Sequence, residues 1–190
     1  HSLGLRVMLK PHLDLKDLSR WRANIDPTDK VLFFANYKAM LLHYAEMAER
    51  HLVEQIAIGA ELHKLSSTVG NEPYWRDIIQ AIRSRYHGKL TYSALFGSNL
   101  DELNGIPFWD ALDSVGLSTY QPVASNSTPS VDSITARWAE IERLYIYPAY
   151  LKYRKPVIVA EVGWKSADGA GMKPESSISD IVDLKEQADL

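Results

Sequence analysis

At 190 residues, 46% of them hydrophobic, the chain is long enough to bury a substantial core and reads as one folded domain, residues 1–190, rather than two. A formal charge of -3 with scattered lysines and arginines leaves no basic face for nucleic acid, and no apolar run approaches the roughly 20 residues that a membrane span needs. The absence of cysteine excludes disulfides, thiolate metal sites and cysteine nucleophiles, and it leaves the compartment open.

The chain then alternates strand and helix. Arg6–Pro11 reads as a strand, Asn36–His51 as a helix through Tyr37, Met40, Leu41, Tyr44 and Met47, and Ile56–Leu62 as the second strand. Pro73–Tyr86 follows as a helix with its proline suited to the first turn, then Leu90–Phe96 as a strand, Phe108–Asp113 as a short helix and Val115–Tyr120 as a strand. Ser133–Tyr153 is helical, with a kink or break expected at Pro148. Pro156–Val162 is the fifth strand, Lys165–Ser179 a loop, and Asp180–Leu190 the start of another helix. Five strands with helical crossovers predict a parallel sheet of the α/β class.

Two of these strands run into a lone glutamate: IAIGAEL ends on Glu61 and PVIVAEVGW contains Glu161. A carboxylate at the end of a buried parallel strand lies on the face where barrel enzymes carry their chemistry. An open doubly wound sheet is the competing architecture, but it is usually marked by a glycine-rich phosphate loop after an early strand, and none is present. A complete eight-stranded barrel needs about 250 residues, so the barrel reading makes this chain a partial one. On its own a strand-end glutamate is as readily a salt-bridge or solvated charge as a catalyst; two in matching contexts favour catalysis.

The strings RVMLKPHLDL, IAIGAEL, PYWRDIIQAIRSRYHGKLTY, FWDALDSVGLSTYQP and KPVIVAEVGW resemble the clan A glycoside hydrolases, and among them family 113, whose characterised members are endo-β-1,4-mannanases. The resemblance spans almost the whole chain. It implies a (β/α)8 TIM barrel in which these five strands are strands three to seven, with strands one, two and eight missing. It implies a retaining hydrolase of a β-linked polysaccharide, needing no cofactor, with Glu61 as acid/base and Glu161 as nucleophile. Tyr120 resembles the tyrosine that hydrogen-bonds the nucleophile in this clan; the alternative is a rim aromatic packed on the next helix.

Lys10 and His12 share one face of the first predicted strand, where they either meet sugar hydroxyls or, for His12, form a satisfied buried imidazole. Trp164 would stack on a pyranose ring or cover the core, whereas Trp21, Trp75, Trp109 and Trp138 read as helix packing. His63 lies beside the Glu61 strand end, and no histidine pair has zinc-ligand spacing with a matching third ligand. Ala60 stands where many clan A enzymes carry an asparagine that binds the sugar 2-hydroxyl, and Leu95 and Phe96 stand where family 113 tends to place polar or large aromatic groups. These departures keep a second reading open, a non-catalytic carbohydrate-binding or phage-tail-associated barrel of the same ancestry. A third, an unrelated scaffold with incidental glutamates, would be supported by the two glutamates pointing to different ends of the sheet. An open barrel edge would also allow self-association.

Overall fold

The computed structural model describes residues 3–16, 20–97, 100–176 and 179–190. Five parallel strands form one sheet in chain order: β1 (Met8–Leu9), β2 (Gln55–Ala60), β3 (Lys89–Leu95), β4 (Val115–Thr119) and β5 (Val157–Val162). The order never reverses, which removes the doubly wound alternative, whose ligand crevice depends on a reversal. The sheet is also strongly curled. Strands four places apart in a flat sheet lie about 19 Å apart, yet Lys10, just past β1, reaches Glu161 on β5 with its ammonium 2.5 Å from the carboxylate. The result is a half-barrel.

Helices cover the convex face. α1 (Lys30–Arg50) begins where the Asp29 side chain accepts the Leu32 amide, and it buries Phe34, Tyr37, Leu41, Ala45 and Ala48, a stripe at helical spacing. It starts six residues before the periodic segment because the cap, not the stripe, sets its first turn. A short helix α2 (His63–Ser66) precedes α3 (Glu72–Arg83), and α4 (Glu102–Gly105) follows β3; neither α2 nor α4 is long enough to show a period in the sequence. α5 (Val131–Ile141) passes through a π-helical turn, Glu142–Ile146, into α6 (Tyr147–Tyr153), whose first turn holds Pro148. The predicted break is therefore a widened turn just upstream, which absorbs the missing proline N–H and the ring's bulk. α7 (Leu184–Asp189) is the last element. No helix among the described residues is long and apolar enough to cross a membrane.

An aromatic cluster fixes the end of the sheet that matters. Trp75 of α3 stacks on Phe108 at 5.1 Å and meets Tyr92 of β3 edge-on at 5.6 Å. Its indole N–H donates to the Leu65 carbonyl, and the Tyr37 hydroxyl donates to the Ile58 carbonyl, so the C-terminal half of β2 and the loop after it are tied to both helices. β4 packs closely on β3 at Gly116, where an added Cβ would lie 2.4 Å from the Tyr92 carbonyl oxygen. The obstacle is backbone, which cannot rotate away. Gly116→Ala is expected to destabilise the fold by about 1–3 kcal/mol, measured as a lower urea midpoint at unchanged slope; an unchanged midpoint would show that β3 and β4 separate freely. Among the described residues β5 pairs with β4 alone, and Val159 and Val162 stay exposed along it.

Candidate active site

Glu61 follows β2 directly and takes a left-handed backbone conformation, φ 56°, uncommon for a residue with a side chain and favoured where the surrounding structure holds it. Its own amide donates to the Ser93 carbonyl at 2.9 Å, and the next amide, of Leu62, donates to the Tyr92 hydroxyl at 2.7 Å. The turn aims a side chain that is only 5% exposed into a cavity of about 1020 Å³. Glu161, paired in register with Ser118 of β4, lines the same cavity. The two glutamates thus share one end of the sheet, and the scaffold reading fails on that point.

Their surroundings drive them apart in acidity. Burial and the Glu161 carboxylate push the pKa of Glu61 up, against the Arg22 guanidinium and the donors Ser118 and Trp21. Burial also pushes Glu161 up, but hydrogen bonds from Lys10 and Tyr120 and the Lys10 charge outweigh it, so its pKa falls below the ordinary value. One carboxyl is biased toward the acid and one toward the anion, the division of labour that acid–base pairs need.

Around them the structure places the other sequence-derived candidates. Lys10 donates to the Ala160 carbonyl at 3.0 Å as well as to Glu161, and Tyr120 donates to the other Glu161 oxygen at 2.8 Å. Burial, together with that contact, pushes the Tyr120 hydroxyl up to about 12. His12 lies 3.6 Å from Glu161 and its other nitrogen meets Arg22; burial and that guanidinium lower its pKa. The ring is half-buried, not the enclosed core imidazole of the alternative reading. The strand that was to carry both residues is shorter than predicted, ending at Leu9, so Lys10 and His12 reach the site from the segment beyond it. Trp164 lines the cavity with its ring edge-on to Trp138 at 6.1 Å, and its buried indole N–H meets no acceptor among the described residues.

The model of glycoside hydrolase family 113 matches residues 1–190. The chain belongs to glycoside hydrolase family 113. A solved family 113 β-1,4-mannanase superimposes with a TM-score of 0.75 at 28% identity, over 99% of this chain and 57% of that one. The family 113 β-mannanase AaManA from Alicyclobacillus acidocaldarius, in complex with ManMIm, gives 0.76 at 30% identity, over 100% and 56%. The chain therefore spans a little over half the length of these structures, in keeping with an incomplete TIM barrel. A β-glucuronidase from Ruminococcus gnavus shares the fold at 16% identity, with a TM-score of 0.52 over 74% of this chain and 24% of that one. No curated protein sequence matches.

Within this family 113 half-barrel, three site residues escaped the sequence reading. Trp21, assigned there to helix packing, is 45% exposed, lines the cavity and donates its indole N–H to Glu61 at 3.2 Å. Arg22 joins Asp14 to His12 and its charge bears on Glu61 and Tyr120. Glu102, at the start of α4, is fully buried. Among the described residues, one acidic cluster has the spacing of a cation site, Asp168, Asp183 and Glu186, with carboxylate oxygens within 4.8 Å of one another. None of the three lines the cavity, and Glu186 already accepts the Gly169 and Gly171 amides while Asp183 caps α7, so their evident task is to hold the loop before α7.

Proposed function

We propose that this chain carries the catalytic pair of a retaining, endo-acting hydrolase of β-1,4-linked mannan. The observation that carries the reading is the opposed tuning of two carboxyls on one cavity, Glu61 biased toward the proton and Glu161 toward the charge. Glu161 attacks the anomeric carbon while Glu61 protonates the departing glycosidic oxygen, leaving a glycosyl ester on Glu161. Glu61, now ionised, then takes a proton from the water that hydrolyses that ester. A carboxylate oxygen keeps a free lone pair after accepting one hydrogen bond, so the contacts from Lys10 and Tyr120 orient Glu161 without silencing it. Trp164 and Trp21 supply aromatic surface for sugar rings along the cavity.

The test is the stereochemistry of hydrolysis of a β-1,4-mannooligosaccharide, followed by proton NMR. The first product should be the β-anomer, mutarotating afterwards; an initial α-anomer sinks the retaining assignment. The second reading, a glycan-binding barrel without turnover, draws on Leu95 and Phe96, which make part of the cavity wall apolar. It predicts saturable binding of the oligosaccharide with no reducing ends released.

Lys10→Met checks the role assigned to the ammonium. Losing a charged hydrogen bond worth about 1.5–3 kcal/mol is expected to lower kcat/KM by about 10- to 100-fold at neutral pH. The sign on the pH profile is fixed as well: Lys10 holds the Glu161 pKa down, so its removal moves the acid limb to higher pH. An unmoved acid limb would show that Lys10 does not tune the nucleophile.

A further inference from the structure

Glu102 carries no part of the chemistry described above, yet it is 0% exposed, and its surroundings are unusually specific for a residue in a four-residue helix. Its Oε1 accepts the hydroxyls of Tyr92 at 2.6 Å and Ser66 at 2.5 Å, and its Oε2 accepts the Leu95 amide at 2.9 Å. Three donors converge on one side chain. A carboxylate accepts at both oxygens and satisfies all three; a glutamine that keeps its oxygen toward the two hydroxyls turns its NH2 on the Leu95 amide, donor against donor, and is pushed off Tyr92.

The Tyr92 hydroxyl is the link to the reaction. Because its own proton goes to Glu102, its lone pair is left to accept the Leu62 amide at 2.7 Å, and Leu62 immediately follows Glu61. The Glu61 backbone is left-handed, a conformation uncommon for a non-glycine residue and kept where the surrounding structure holds it. One flank is fixed by the Glu61 amide on the Ser93 carbonyl and the other by Tyr92.

We propose that Glu102, acting through Tyr92 and the Leu62 amide, is a positioning residue that locks the strained turn at Glu61 and so aims the acid/base carboxyl. The role rests on the reading of Glu61 as acid/base, but the lock itself is a property of the turn. Burial pushes the Glu102 carboxyl up to about 7, with the donors from Ser66, Tyr92 and Leu95 opposing and the charge of Glu61 adding to the rise. Among the described residues, the titratable groups that bear on it are Glu61, past β2, and Tyr92, on β3. A proton on Oε2 leaves both hydroxyls their acceptor at Oε1 and a lone pair for the Leu95 amide, so the Tyr92–Leu62 link survives it and the Leu62 amide reports only the change of charge.

Two measurements on this chain and its variants Glu102→Gln, Tyr92→Phe and Ser66→Ala test the lock. The first is kcat/KM on two substrates, a β-1,4-mannooligosaccharide, whose leaving oxygen needs a proton, and a dinitrophenyl β-mannoside, whose leaving group departs without one. Misaiming the acid should cost on the order of 100-fold on the oligosaccharide and less than about threefold on the dinitrophenyl glycoside in the first two variants. Equal losses on both substrates would mean general damage to the fold and would overturn the proposal. The second needs no turnover: exchange of the Leu62 amide, compared with the interior amides of β2, and its chemical shift against pH. Exchange should quicken by about tenfold or more in Glu102→Gln and Tyr92→Phe and not in Ser66→Ala. The shift should titrate at about 7 in the parent and stay flat in Glu102→Gln. If exchange and shift are the same in parent and variants, the lock is absent. If the parent cleaves neither substrate, the glycosidase reading fails while the amide result still decides the lock, and Glu102→Gln alone decides it should Tyr92→Phe not fold.

Discussion

Glu161→Gln is expected to reduce hydrolysis of β-1,4-mannan by a factor on the order of 10⁴ or more while leaving the fold intact. The amide has the shape of the carboxylate, and its oxygen can still accept the Tyr120 hydroxyl that now sits at 2.8 Å. What it lacks is the charge and the nucleophilicity. No glycosyl ester forms on a neutral amide, and the Lys10 ammonium, now 2.5 Å from a carboxylate oxygen, loses its counter-charge in a half-buried site. Activity assays read the loss, and mass spectrometry reads its cause: a 2-deoxy-2-fluoro-mannosyl fluoride should label the parent on the Glu161 peptide and leave the variant unlabelled. Retention of more than about one hundredth of the activity, or a label on any other residue, would take the nucleophile away from Glu161. A loss confined to KM would assign Glu161 to binding, because an interaction realised only in the transition state lowers kcat.

The sequence made the strand ends legible because a parallel strand packed between helices and sheet writes itself as a short apolar run, as Ile56–Ala60 and Val157–Ala160 do. Glu61 and Glu161 stand out against such runs. The same logic misleads about burial at β5, whose Val159 and Val162 are exposed although they stand in an apolar run. Local pattern also cannot encode curvature. That Lys10 would touch Glu161 depends on how far the sheet curls between its first and fifth strands, and nothing within ten residues of either position states it.

The residues that escaped notice lie where periodicity has nothing to say. Trp21 and Arg22 precede and open a single 3-10 turn, Arg22–Asn24, and reach Glu61 and His12 across loops. Glu102 sits in LDELNG, which reads as a polar loop because Asp101 and Asn104 flank it. The one available signal was the capping pattern: Asp101 accepts the Asn104 amide and starts a helix that turns Glu102 inward. Even that signal predicts a helix start, and only the tertiary packing of Tyr92 and Ser66 explains why a carboxylate is buried there.

Glu61→Ala is expected to show a different signature from Glu161→Gln, and the contrast separates the two roles. Proton transfer by a positioned acid contributes about 10²–10⁴-fold, so the loss on mannan should fall in that range, about 2.7–5.5 kcal/mol of barrier. A substrate whose leaving group needs no proton should still form its glycosyl ester, then stall because the carboxylate that would activate water is gone. Azide, which needs no deprotonation, should restore turnover and release a β-mannosyl azide. The pH profile follows with its sign fixed. Glu61 must be protonated to begin, and burial together with the Glu161 carboxylate raises its pKa. Activity in the parent therefore falls on the alkaline side as Glu61 ionises, and that limb should vanish in the variant, while the acid limb set by Glu161 stays in place. A variant that keeps the alkaline limb, or that azide does not rescue, would move the acid/base role to another group. The desolvation that raises Glu61 comes from a side chain left only 5% exposed at a turn with φ 56°, so a second change that relaxes this turn should lower its pKa and draw the alkaline limb of the parent to lower pH.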